Sequence, residues 1–178
     1  MSSAPSIYSI SVPVFSAMLK NLSAILEIGE KNAAERNIDP GVFLTARLAP
    51  DMFTAAQQFA TAAGFALRGA LPLVGAEIPA FPDLGMDRDG LLARFAFVLG
   101  HLDGLNPADF DGADTRPVSH RAGFAELTQP CAEYLHLFAL PNFFFHLGMG
   151  FAVLRQRGLT IGKADFDGLH DYPPGFRF

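Results

Sequence analysis

Six polar side chains stand out for the chemistry they can do: Arg47, Asp51, Tyr134, His136, Asn142 and His146. Asn142 and His146 lie in the run Phe138-Ala139-Leu140-Pro141-Asn142-Phe143-Phe144-Phe145-His146, beside four phenylalanines and a helix-breaking proline. An apolar core needs neither an amide nor an imidazole, and burying either without a partner is costly. This run therefore marks the place where a ligand would bind. Asp51 and His146 together offer a carboxylate oxygen and an imidazole nitrogen, a donor set that suits zinc, nickel or iron, with Asn142 or His136 completing a reduced site. Without a metal, the same six residues supply donors and acceptors around Phe138, Phe143 and Phe145. That is the make-up of a small-molecule site, an apolar concavity with a few convergent polar groups.

Each residue also has a plainer reading. Asp51, just after Pro50, would sit in a first helical turn, where the helix dipole favours a negative charge. His146 would be a core histidine bonded to one backbone carbonyl. Asn142 would bond to backbone groups freed near a helix start. No complete catalytic motif accompanies these residues, so the sequence leaves open whether the protein is an enzyme.

Four long amphipathic segments must position this chemistry. The first runs from Ile7 to Arg36, its regular part starting after Ser11, with Val14, Phe15, Met18, Leu19, Leu22, Ile25 and Leu26 on one face. A short turn, Gly41 to Arg47, follows the Asp39-Pro40 start signal. The second long helix is expected from Ala49-Pro50-Asp51 to Ala70, and its alanines and Gly64 permit close approach of a neighbour. Leu71 to Asp87, rich in proline and glycine, reads as a loop. Asp87 caps a third helix, Arg88 to Leu105, which Asn106-Pro107 ends. Pro117–His120 and Phe124–Thr128, joined by Arg121-Ala122-Gly123, read as a small hairpin. The fourth helix is expected to begin at Pro141, because a proline deeper inside would remove a hydrogen bond and clash with the Leu137 carbonyl. It reaches Gln156, near the C-cap candidate Gly158. The result is an all-α four-helix bundle with an irregular or hairpin insertion between helices three and four. It forms one domain over residues 1–178, with 167–178 as a mobile or surface-laid tail.

Composition narrows the function classes. Half of the 178 residues are hydrophobic and 17% are charged, enough for a sizeable core. A net charge of −5, with basic residues scattered and never in a run, argues against binding nucleic acid or an anionic membrane. The sole cysteine, Cys131, excludes an internal disulfide and fits a reducing cytoplasm. Met1 to Pro13 does not read as a secretory signal. Leu135 to Leu154 lacks any Asp, Glu, Lys or Arg and is long enough to span a bilayer. Pro141, Asn142 and two histidines within it instead suggest buried protein.

Several blocks of the chain resemble, in the same order, a bacterial family of unknown function within the DinB/YfiT-like superfamily. They are Ser11-Val12-Pro13-Val14-Phe15, Asn21-Leu22-Ser23-Ala24-Ile25-Leu26, Arg47-Leu48-Ala49-Pro50-Asp51-Met52-Phe53 and Phe138-Ala139-Leu140-Pro141-Asn142-Phe143. His146, Leu154-Arg155 and Gly162-Lys163-Ala164-Asp165-Phe166 complete the set. The resemblance spans about Ile7 to Phe166. It implies a four-helix bundle, often dimeric. The alanine-rich and phenylalanine-rich helix faces of this chain are themselves expected to pair it as a homodimer. Superfamily members commonly hold a divalent metal with three histidines, one from helix two and two from helix four, and some are metal-dependent thiol transferases or hydrolases. This chain departs from that pattern. Helix two has no histidine, and the positions four residues either side of His146 are Asn142 and Gly150. The leading expectation is therefore a bundle that binds a small molecule near helix four without an intact three-histidine site. The alternative is a divalent-metal-dependent transferase or hydrolase using Asp51 and His146.

Overall fold

A computed structural model of the chain describes residues 5–173. It is mostly helical, with one antiparallel hairpin. Helix α1 is Val12–Arg36 and α2 is Gly41–Leu44. Helix α3 is Ala55–Ala70 and α4 is Arg88–Asp103. Strands β1, Pro117–Ala122, and β2, Ala125–Pro130, form the hairpin. They are followed by α5, Cys131–Glu133, a π-helical turn, Tyr134–Ala139, and α6, Leu140–Gln156. These last three run on as one 26-residue helix, Cys131–Gln156. A short α7, Lys163–Asp167, comes last.

Local chemistry accounts for most of these boundaries. The α1 helix starts where Ser11 Oγ donates to the Ile7 carbonyl, with Pro13 in its first turn, and stops at Asn37 in left-handed backbone at φ 52°. Asp87 caps α4 by accepting from the Gly90 N–H at 2.8 Å. The hairpin pairs Pro117 with Pro130 and Ala122 with Ala125, which leaves a two-residue turn. Gly123 takes its first position at φ +61°, as such turns favour. The expected hairpin is thus present, with β1 running on two residues past His120 and β2 shifted to Ala125–Pro130 from the expected Phe124–Thr128.

Two expectations need correction. Helix two does not begin at Ala49-Pro50-Asp51. Thr54 and Gln57 form a reciprocal capping box, the Thr54 N–H donating to Gln57 Oε1 at 2.9 Å and Thr54 Oγ1 accepting from the Gln57 N–H at 3.2 Å. That pair satisfies two backbone groups at once, so the helix starts at Ala55. Asp51 is left on the exposed turn before it. Nor does helix four begin at Pro141, for it is already helical from Cys131. Proline fits because the winding widens into a π turn just ahead of it, and the Asn142 side chain donates to the Phe138 carbonyl at 2.8 Å.

The core is built mainly by α3 against α6 and α4, with α1 packed on α4 and α7. Phe15, Phe59, Phe95 and Phe143 are fully buried, each contributing roughly 2 kcal/mol by leaving water. Phe15 and Phe143 meet edge-on, 4.9 Å apart. At Gly150 a Cβ would lie 2.3 Å from the Phe59 ring, so only glycine permits this approach of α6 to α3. Helices Val12–Arg36 and Cys131–Gln156 are long and apolar enough to cross a membrane by length and composition, but each also buries one face in this core. Asn21 Nδ2 donates to the Phe166 carbonyl at 3.1 Å, tying α7 to α1. Of the segment 167–178 expected to be a tail, Asp167 accepts from the N–H groups of Leu169 and His170, and residues 174–178 lie outside the described residues.

Candidate functional site

The six residues singled out from the sequence do not converge. Arg47 is exposed, and its guanidinium donates to the carbonyl of Pro50 in its own turn, at 3.3 Å. Asp51 and His136 are exposed. Among the described residues, no hydrogen bond or ion pair joins Asp51 to His146, and no group of three or more His, Cys, Asp or Glu side chains is placed to hold a metal ion. Asn142 is occupied with its own helix.

His146 does face the bundle, and its partner is not the backbone carbonyl expected. Its Nδ1 lies 2.7 Å from Gln58 Oε1, on α3. The amide oxygen can only accept, so Nδ1 carries the hydrogen and Nε2 keeps its lone pair. Gln58 is 3% exposed, one of few polar side chains inside the core. The imidazole stacks on Phe65 at 5.7 Å and on Phe53 at 6.2 Å. Burial among these groups holds the His146 pKa below the ordinary histidine value.

Tyr134 belongs to a second cluster, around the π turn. It is buried, its hydroxyl donates to the Arg68 carbonyl at 2.8 Å, and burial pushes its pKa up to about 12. The hydroxyl therefore stays a donor throughout the physiological range. His120 reaches the same place from β1, its ring 4.7 Å from Tyr134 and 4.2 Å from Phe138. Its Nε2 donates to Gln129 Oε1 at 2.8 Å, across the hairpin, leaving Nδ1 buried as an acceptor without a partner. A groove of about 390 Å³ opens here, lined by Arg68, Ser119, His120, Arg121, Tyr134 and Phe138 among others. Arg121 is paired with Glu126 across the turn at 3.6 Å. π-Helical turns recur at functional sites, and this one brings Tyr134 and Phe138 to one side.

Gln58 and His120 escaped the sequence reading. Gln58 sits among alanines in a helix and reads as a solvent-facing residue. His120, in a polar strand, reads as a surface histidine. The alternation Val118-Ser119-His120 held the only hint, because it assigns Val118 and His120 to the same side of the strand.

The family model for Domain of unknown function (DUF1993) matches residues 7–167. Among solved structures, a DinB family member protein from Shewanella denitrificans is similar to this chain. It is 35% identical, with a TM-score of 0.83, over 93% of this chain and 94% of that one. No curated protein matches.

Proposed function

We propose, given that this chain belongs to the DUF1993 family and has a DinB-like relative of known structure, that it is a four-helix-bundle protein that binds a small molecule beside its fourth long helix. Helices α1, α3, α4 and the joined α5–α6 helix are the four of that bundle. The binding surface is the groove against the π turn. Tyr134, Phe138 and His120 form an aromatic wall, and Arg68, Ser119 and Arg121 supply polar contacts at its edge. The observation that carries this reading is the His120 ring lying on both Tyr134 and Phe138, with one nitrogen left without a donor, at the edge of an open groove of about 390 Å³. Sites of this size with aromatic walls and a few polar groups are typical of small ligands.

The metal-dependent transferase or hydrolase reading has narrower support. His146 Nε2 keeps a lone pair, and an oriented imidazole of that kind is a good ligand. Gln58, however, stands where α3 would offer a second nitrogen, and Asp51 sits on the turn ahead of the helix. The protein acts in the cytoplasm and pairs as a homodimer through the outer face of the fourth long helix, where Leu137 is 69% and Phe145 54% exposed.

Titration with neutral aromatic fragments, followed by amide chemical shifts, tests the main reading. Saturable shifts clustered at residues 119–121 and 134–138, weakened at least about tenfold by His120→Ala or Phe138→Ala, are expected. The absence of any saturable fragment, or binding indifferent to both variants, overturns it. Metal content of protein purified without chelator, compared with His146→Ala, decides the alternative, since equal and negligible metal in both removes it.

A further inference from the structure

Arg94 is the one buried charged side chain of the described core, 9% exposed on α4. Its guanidinium carbon lies 4.6 Å from the centre of the Phe81 ring. Among the described residues, no carboxylate pairs with it, no carbonyl accepts from it, and its Nε is shielded without a partner. Other arginines held against the fold have an acceptor at an Nη, although the Arg88 Nε is shielded without a partner as well. Arg88, on the same helix, pairs with Glu27 and Asp89, Arg116 donates to the Leu73 carbonyl, and Arg155 to the Ile161 carbonyl. A largely buried guanidinium without a counter-charge is disfavoured to the extent that it loses water. Here only the Nε is fully shielded, which leaves the two Nη groups open to an anion.

Arg94 lines a groove of about 310 Å³ between α3 and α4, separate from the one at the π turn although Arg68 borders both. Phe53, Phe65 and Phe81 give it aromatic walls, and none of its lining residues is acidic. The Arg68 guanidinium lies 5.3 Å over Phe65, so a second cation stands at its edge. Gly64 keeps the groove open, since a Cβ there would meet nothing within 4 Å. In a chain of net charge −5, this is a local reversal of sign.

The geometry points to a binding site for a small carboxylate bearing an aromatic group, with Arg94 at its floor and Arg68 at its edge. The two oxygens of a carboxylate match the fork of a guanidinium, and the ring of such a ligand lies among three phenylalanines. A bare inorganic anion would leave those walls unused, and a neutral aromatic would leave Arg94 uncompensated.

Calorimetric titration of the full chain with phenylacetate, inorganic phosphate and 2-phenylethanol tests the assignment. Saturable phenylacetate binding is expected, at least about tenfold tighter than either control. Arg94→Met and Gly64→Leu should each weaken it at least about tenfold while helical circular dichroism is retained. Gly64→Leu places its side chain in open space, so it keeps the test decisive even if Arg94→Met does not fold. His120→Ala, in the other groove, should leave phenylacetate binding unchanged, so the two readings fail separately. No saturation by phenylacetate, equal affinity in folded Gly64→Leu, or equal binding of either control overturns the proposal.

Discussion

His146 and Arg94 are both polar groups set among phenylalanines, on the two helices that pack against α3, and the protein treats them in opposite ways. His146 has a side-chain partner in Gln58, rings on Phe53 and Phe65, and a neutral form favoured by burial. Arg94 has an aromatic neighbour and, among the described residues, no carboxylate to balance its charge. A satisfied polar pair inside a core fixes how two helices meet. An unsatisfied one lowers stability unless a ligand completes it. The difference separates a group that holds the fold together from a group that the fold holds ready.

The largest effect should come from breaking the packing that seats His146. Gly150→Val drives a side chain into the Phe59 ring, and overpacking at such a site should destabilise by about 3 kcal/mol, read from urea denaturation. Next is the pair itself. Gln58→Ala leaves the imidazole N–H without an acceptor and should cost about 2 kcal/mol, a loss that shrinks when His146 is also changed to Phe. The smallest effect is the most diagnostic. Arg94→Met should be neutral or stabilising by about 1 kcal/mol, because it removes an unpaired charge and keeps most of the side-chain volume. A large loss of stability in that variant would erase the contrast with His146.

A pH series sharpens the comparison further. The folded-state pKa of His146 lies below its unfolded value, so the unfolded chain binds the proton more readily. The contribution of His146 is therefore intact above about pH 6.5 and is lost as pH falls from there through its lowered value. Melting temperatures of the native chain and of His146→Phe should diverge in slope across that window, and parallel profiles would count against the neutral, buried imidazole.

Much of the fold was legible because local signals agreed. Ser11 and Pro13 opening α1, Asp87 opening α4, and Gly123 turning the hairpin each had an unambiguous physical role. The errors arose where two signals competed. Ala49-Pro50-Asp51 has the chemistry of a helix start, but Thr54 with Gln57 satisfies more backbone groups. Pro141 normally begins or breaks a helix, and only the widened turn before it, which depends on tertiary packing, lets the helix continue. For the site, the inward position of His146 followed from the uncharged run around it. Gln58, His120 and Arg94 were not legible. Their significance lies in the partner each meets or lacks across tens of residues, and no spacing within one helix or strand records that.

The π turn at Tyr134–Ala139 accommodates one residue more than an ordinary helical ladder would over the same length. Excising the exposed Leu137 would restore regular 3.6-residue winding. Closing the π turn into regular winding without that deletion would instead rotate everything upstream by about 100° relative to α6, carrying the Tyr134 hydroxyl off the Arg68 carbonyl and the hairpin with it. The wider winding thus absorbs the surplus residue locally and keeps the hairpin in phase with the rest of the bundle.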